Sequence, residues 1–182
     1  MRVISGSAKG RKLDPVPGDL TRPITDRVKE ALFDIIGPDV GDSSWWDVFA
    51  GTGAVGIEAL SRGAAFARLT DLNRPALNTI KKNLERTGLA NGAEVRRGDA
   101  FAMLSEPPDR QFDYIYIAPP QYKGLWARAL GHLDLTIGWL DIHGWAFAHI
   151  GPKELEPLKL TNLQEFDRRR YGTTVLLFYS RT

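Results

Sequence analysis

The chain contains no cysteine, which excludes a disulfide framework and a thiolate zinc site. Its three histidines are scattered, so no metal cluster and no metal catalysis are expected. No apolar run approaches the roughly 18 residues of a membrane span, and the first residues lack the apolar stretch of a signal peptide. A cytoplasmic protein with no membrane partner is therefore expected. Internal repeats and low-complexity tracts are missing too. So is a strong charge excess: 24 Lys and Arg against 22 Asp and Glu leave a net charge of +2, too little by itself to indicate a nucleic-acid partner. What is present is 182 residues with 43% hydrophobic and 25% charged content, which suits one globular domain with a sizeable core and leaves no room for a second full one.

The distribution of charge says more than its total. Arg2, Lys9, Arg11 and Lys12 crowd the first 13 residues without an acid among them, and Arg168, Arg169 and Arg170 form a second cluster. Taken alone, either is most simply a solvated surface. Residues 1–22 mix short extended runs with Gly6, Gly10, Pro15, Pro17 and Gly18, and read as a small hairpin and a loop ahead of the main fold. Thr25 is placed to cap a helix in which Val28, Ala31, Leu32, Ile35 and Ile36 recur at helical spacing until Gly37-Pro38 ends it. Strands are expected near 44–49, 66–71, 93–97, 112–117 and 144–150, with helices near 54–62, 74–86 and 125–135. That alternation implies βαβ units and a mostly parallel sheet. Two last extended runs flank Tyr171-Gly172 and read as a terminal hairpin.

The stretch Trp45–Leu60, W-W-D-V-F-A-G-T-G-A-V-G-I-E-A-L, passes from an apolar strand through a glycine turn into a helix. Gly51, Gly53 and Gly56 lack a β-carbon, so the backbone can take unusual φ values, approach a ligand and pack the helix closely on the sheet. A bare G-x-G-x-x-G also fits a dinucleotide-binding turn, and Asp71 follows Gly51 at the spacing of a ribose-binding carboxylate. Three details point away from a dehydrogenase. Asp47 sits inside the strand where a nicotinamide fold wants an apolar residue, and the strand begins more than forty residues into the chain. Further on, Phe112–Gln121, F-D-Y-I-Y-I-A-P-P-Q, is a buried strand breaking into two prolines at its carboxyl end, where open α/β sheets bind ligands. An acidic glycine loop followed by an X-Pro-Pro-X loop is the order of an S-adenosylmethionine-dependent amino-methyltransferase.

The opening M-R-V-I-S-G-S-A-K-G-R-K-L, then T-R-P-I-T-D-R-V-K-E-A-L-F, then D-V-F-A-G-T-G-A-V-G-I-E-A-L-S-R-G-A and the closing R-R-Y-G-T-T-V-L-L-F-Y resemble the RsmD-type methyltransferases, which modify the exocyclic amine of a guanine in small-subunit ribosomal RNA. The resemblance implies a Rossmann-like class I α/β fold: a mostly parallel seven-stranded sheet, a C-terminal antiparallel hairpin and a short N-terminal β-hairpin extension. Residues 1–24 would form an RNA-contacting extension and 25–182 the methyltransferase domain. The cofactor would be S-adenosylmethionine, the partner 16S rRNA or the small ribosomal subunit, and the chain a monomer. Asp47 and the backbone of Ala50, Gly51, Thr52 and Gly53 would face the methionine end, Asp71 the ribose hydroxyls and Asp99, beside Ala100, the adenine amine. Leu72 and Phe101 would pack on the adenine faces, with Arg22 and Thr25 lying over the pocket. Helix capping is the competing role for Asp71, Asp99 and Thr25. Both basic clusters would meet the RNA backbone.

One motif departs from the family pattern. Where related amino-methyltransferases carry Asp/Asn-Pro-Pro-aromatic, this chain has Ala118, Pro119, Pro120 and Gln121, with Tyr122 next. A guanine amine is a poor nucleophile because its lone pair is delocalised, so acceptors must bind its hydrogens and aim it. Ala118 has no side-chain acceptor. In one reading the carbonyls of Ala118, Pro119 and Gln121 hold the amine and Tyr122 stacks on the base. In the other, the domain binds cofactor and RNA with impaired catalysis. An adenine-N6 methyltransferase of DNA or RNA is a third alternative, since the same loop chemistry serves either base.

Overall fold

A computed structural model describes residues 1–18 and 23–182. Five parallel strands form the larger part of the sheet: β1 (Ser44–Asp47), β2 (Phe66–Asp71), β3 (Ala93–Arg97), β4 (Phe112–Ile117) and β5 (Leu140–Ile150). The last two, β6 (Leu163–Tyr171) and β7 (Thr174–Arg181), complete a seven-stranded order β3-β2-β1-β4-β5-β7-β6. Strand β7 is antiparallel to both its neighbours, so the expected terminal hairpin inserts its second strand into the sheet. The order turns back between β1 and β4, and at such a switch point a crevice opens beyond the strands' carboxyl ends.

One face of the sheet is covered by α1 (Asp26–Ile36), α2 (Ala54–Ser61) and α3 (Arg74–Thr87), the other by α4 (Ala100–Ser105) and α5 (Leu125–Leu135). Alternation along β1 sends Trp45 to the first core and Trp46 to the second, both fully buried. Each indole N–H is satisfied locally, Trp45 donating to Ser43 Oγ and Trp46 to Thr70 Oγ1, both at 2.9 Å. Thr25 does cap α1, its Oγ1 accepting from the Val28 amide at 3.3 Å. Helix α4 has no counterpart among the helices expected from the sequence.

The amino-terminal hairpin is reduced to a single antiparallel bridge between Arg2 and Lys12. Its turns are held from outside. Glu58, fully buried on α2, accepts from the amides of Ile4 and Ser5 at 2.8 and 3.0 Å. The same carboxylate pairs with Lys29 Nζ at 3.1 Å and Arg62 Nε at 2.8 Å, and Lys29 also donates to the Arg2 carbonyl at 2.6 Å. Burial holds the Lys29 ammonium below its ordinary pKa, with Glu58 opposing that shift. Gly6, at φ +85°, lies so near the end of α2 that a β-carbon would sit 1.7 Å from the Ser61 carbonyl. Val3, Ala8 and Leu13 join the core of the main fold.

Candidate active site

A cavity of about 440 Å³ opens at the switch point, lined from the carboxyl ends of β1, β2, β4 and β5 and the start of α4. The glycine turn forms one wall. Gly51 and Gly53 take φ values of +54° and +79°, and a β-carbon on Gly56 would come within 2.8 Å of the Leu69 side chain, so the three glycines serve turn and helix packing as expected. The Gly51 amide donates to Asp71 Oδ2 at 3.0 Å, and the Asn73 amide to Asp71 Oδ1 at 2.8 Å. Asp71 therefore braces the turn while keeping lone pairs for ligand hydroxyls.

Asp47 lines the same wall and is 2% exposed. Desolvation, with the Asp71 charge adding to it and the Gly56 amide opposing, pushes its pKa up to about 8. Its Oδ1 has no hydrogen-bond partner among the described residues. A buried carboxylate oxygen in that state is costly unless a cation or a donor meets it. The donor set fits the ammonium end of an amino-acid-bearing cofactor. Asp99 reaches the cavity at the start of α4, where it also caps the helix by accepting from the Ala102 amide at 2.9 Å. Ala100 and Phe101 follow it into the lining; the Phe101 ring meets Phe49 edge-on at 5.8 Å and carries the Arg128 guanidinium 4.0 Å above it. Leu72 stands 55% exposed at the rim. Ala50 and Thr52 line the cavity, whereas Gly53 caps α2 behind it. Thr25 spends its hydroxyl on α1, and Pro23 and Ile24 contribute the lining there; Arg22 lies outside the described residues.

Across the cavity, Ala118, Pro119, Pro120 and Gln121 leave β4 as the facing wall. Tyr122 follows in the left-handed region at φ +63° and is 59% exposed. Its ring stands on Gly151 at the exit of β5, where a β-carbon would fall 2.6 Å from the tyrosine hydroxyl. Glu154 clamps this arrangement: Oε1 accepts from the Tyr122 amide at 2.6 Å and Oε2 from the Gly151 amide at 2.8 Å. Two further side chains missed in the sequence sit in the lining. The Tyr116 hydroxyl and His149 Nδ1 are 2.7 Å apart, both residues are buried, and burial together with the Asp47 charge holds the phenol well above its ordinary pKa. The period-two run Y-I-Y-I-A puts Tyr116 on the face of Ala118 and was the one available signal; His149 belongs to a strand without a motif.

The carboxyl-terminal basic cluster lies toward the cavity's end of the sheet, whereas the amino-terminal one is spread along the molecule, with Arg11 at the last turn of α3 and Lys9 bonded to Gly6 at the far end of α2. Met1 Sδ is 3.7 Å from Thr52 Oγ1, placing the amino terminus beside the glycine turn. On β6, Arg170 is in register with Val175, which is paired in turn with Ile150 at the end of β5. Arg168 is paired with Glu165 at 2.7 Å, Arg169 with Asp167 at 2.9 Å, and Arg170 donates to the Gly172 carbonyl at 3.4 Å. Arg2 meets Asp26 at 3.4 Å and Arg11 donates to the Arg86 carbonyl at 2.6 Å, while Lys9 and Lys12 are exposed. Exposed pairs of this kind are worth about 0–1 kcal/mol, so a phosphate can compete for the guanidinium groups.

Sheet order, the antiparallel seventh strand and a cavity between glycine turn and proline loop define a class I methyltransferase fold. The family described as conserved hypothetical protein 95 matches residues 1–180, and the chain belongs to it. This is the RsmD-type family. A putative rRNA methyltransferase of Bacillus subtilis, YlbH, is 38% identical over 183 residues, spanning 100% of this chain and 99% of its own. Ribosomal RNA small subunit methyltransferase D of Escherichia coli K12 is 39% identical over 146 residues, 80% of this chain and 69% of the relative. Among solved structures, a putative methyltransferase of Escherichia coli, yhhF, superposes with a TM-score of 0.87 at 32% identity, covering 100% of this chain and 97% of that one.

Proposed function

We propose that this chain transfers a methyl group from S-adenosylmethionine to the exocyclic N2 amine of a guanine in small-subunit (16S) rRNA. The observation that carries the reading is that Asp47, whose Oδ1 has no partner among the described residues, and the Ala118-Pro119-Pro120 wall line one cavity. When bound, the cofactor supplies an electrophilic methyl on a sulfonium. Asp47 and the Ala50–Thr52 backbone hold its ammonium end, Asp71 its ribose hydroxyls and Asp99 its adenine amine, with Phe101 and Leu72 against the ring. Carbonyls of Ala118 and Pro119 accept from the target amine, localising its lone pair and pointing it across the cavity. The stiff proline pair holds those carbonyls, and exposed Tyr122 offers a platform for the extruded base. Exposed Lys9 and Lys12 and the Arg168–Arg170 cluster meet phosphates of the rRNA or the assembled subunit. The chain acts as a cytoplasmic monomer.

The test is transfer of labelled methyl from S-adenosylmethionine to small ribosomal subunits lacking the modification, with the product nucleotide located by mass spectrometry. Label on a guanine N2 supports the proposal. Ala118 favours a second reading, a binding protein with impaired catalysis; measurable cofactor and RNA binding without label would establish that one. Label on an adenine amine would move the chain to a different substrate.

A further inference from the structure

We propose that His149 is a catalytic residue that supplies the acceptor Ala118 lacks, its Nε2 binding a hydrogen of the target amine while Tyr116 fixes the ring. The inference rests on the proposed amine methylation. Strands β4 and β5 are parallel and paired Tyr116 with Phe147 and Ile117 with Ala148, and the next step in that register sets Ala118 beside His149. Alternation puts Tyr116, Ala118 and His149 on one face, and all three line the cavity. A missing side chain on one strand is thus answered by a nitrogen base on its neighbour, at the same level of the sheet and next to the proline loop.

The Tyr116 contact engages Nδ1, which lies 2.7 Å from the phenol oxygen. The proposed tautomer has Nδ1–H donating to that oxygen and the lone pair on Nε2. Asp47 is paired in register with Tyr116 on β1, extending the polar row Asp47, Tyr116, His149 across three strands beneath the cavity. From the other side, β7 presents apolar Leu176 opposite His149, and beyond the end of β5 Glu154 is committed to the Gly151 and Tyr122 amides. In the reaction the N2–CH3 bond forms as the CH3–S bond breaks, leaving a neutral thioether. One N–H of the methylated amine then breaks, and its proton passes to His149 Nε2, giving an imidazolium whose Nδ1–H remains on Tyr116.

The experiment compares wild type with His149→Ala, His149→Phe, Tyr116→Phe and the double variant His149→Ala/Ala118→Asp in single-turnover methyl transfer to small subunits, alongside calorimetric titration with S-adenosylmethionine. His149→Ala is expected to lose about 100- to 1,000-fold in rate, the loss typical of one positioned transition-state contact. Cofactor affinity should hold within about threefold. His149→Phe keeps the volume should alanine fail to fold, and should lose as much. Restoring a carboxylate at 118 in the His149→Ala background should recover at least about tenfold, which a purely structural histidine could not explain; Tyr116→Phe should fall between. A readout independent of turnover is the tautomer of His149 in ring-15N-labelled protein, assigned against His149→Ala: Nδ1–H supports the proposal and Nε2–H overturns it. An active wild type with an equally active His149→Phe would overturn it as well, whereas an inactive wild type would bring down the amine-methylation reading on which it stands.

Discussion

Replacing Asp47 by asparagine should make the protein without cofactor more stable and its cofactor affinity worse, and the two effects have one origin. Burial raises the carboxyl from 3.8 to about 8. A raised folded-state pKa means the folded chain holds a proton the unfolded chain has released, so this group's favourable contribution is complete below the unfolded value and is lost as pH climbs toward 8. One pKa unit is equivalent to about 1.4 kcal/mol, so stability should fall by up to that amount per pH unit between about pH 4 and pH 8. Asparagine has the shape without the charge and removes the slope. The stability difference between variant and wild type should therefore widen by about 3 kcal/mol from pH 5 to pH 8, measured by urea unfolding at each pH. For a domain of this size that corresponds to about 6–12 °C in midpoint. Where the cofactor's ammonium meets Asp47, as proposed, it favours the ionised carboxylate, so binding of S-adenosylmethionine to wild type at pH 7 should release close to one proton, seen as a buffer-dependent calorimetric enthalpy. Asp47→Asn should abolish the release and weaken binding by about tenfold or more. Stability curves for the two proteins that run parallel across this pH range would show that Asp47 does not carry the perturbed titration, and the electrostatic account of the pocket would fail with them.

Glu58→Gln should cost about 3–5 kcal/mol, because it leaves the buried Lys29 ammonium without its counter-charge and loosens the Ile4 and Ser5 amides. Limited proteolysis should then cut within the first sixteen residues, and an uncut segment would contradict that tether. Glu154→Gln should lower the methyl-transfer rate while costing only about 1–2 kcal/mol in unfolding free energy, since it weakens the hold on the Tyr122 loop outside the core. An unchanged rate would remove Glu154 from the positioning role. Reversing Lys9 and Lys12 to glutamate should weaken rRNA binding and reduce the salt slope by about 0.7–0.9 for each phosphate they cease to neutralise, with cofactor affinity intact; a constant slope would return both lysines to the solvated surface.

What was legible in the sequence was whatever is written at short range. Helices α1 and α3 carry long apolar periods and punctuation, Thr25 and Gly37 for the first and Gly88 for the second, and the strands to which Asp47 and Asp71 belong end in turns with recognisable glycine or asparagine chemistry. Helix α4 escaped because six residues cannot display a helical period, and its capping aspartate reads equally well as a ligand; Asp99 in fact caps the helix and lines the cavity at once. The start of β5 at Leu140 rather than near residue 144 depends on a bulge against Phe112–Tyr114, which only pairing reveals. The amino-terminal segment reads as a small hairpin and a loop, but the carboxylate that shapes it is Glu58, more than fifty residues away. The same limit governs the site. Ala118 reads as a deletion of chemistry so long as the motif is taken as a string, because a string preserves only neighbours along the chain. Strand pairing supplies the other neighbours: it brings His149 from 33 positions beyond Tyr116 to within hydrogen-bonding distance and Glu154 from 32 positions beyond Tyr122 to its amide. A proline loop without a side-chain acceptor of its own is here flanked by an imidazole, and the register of β4 against β5 is what makes that neighbour visible.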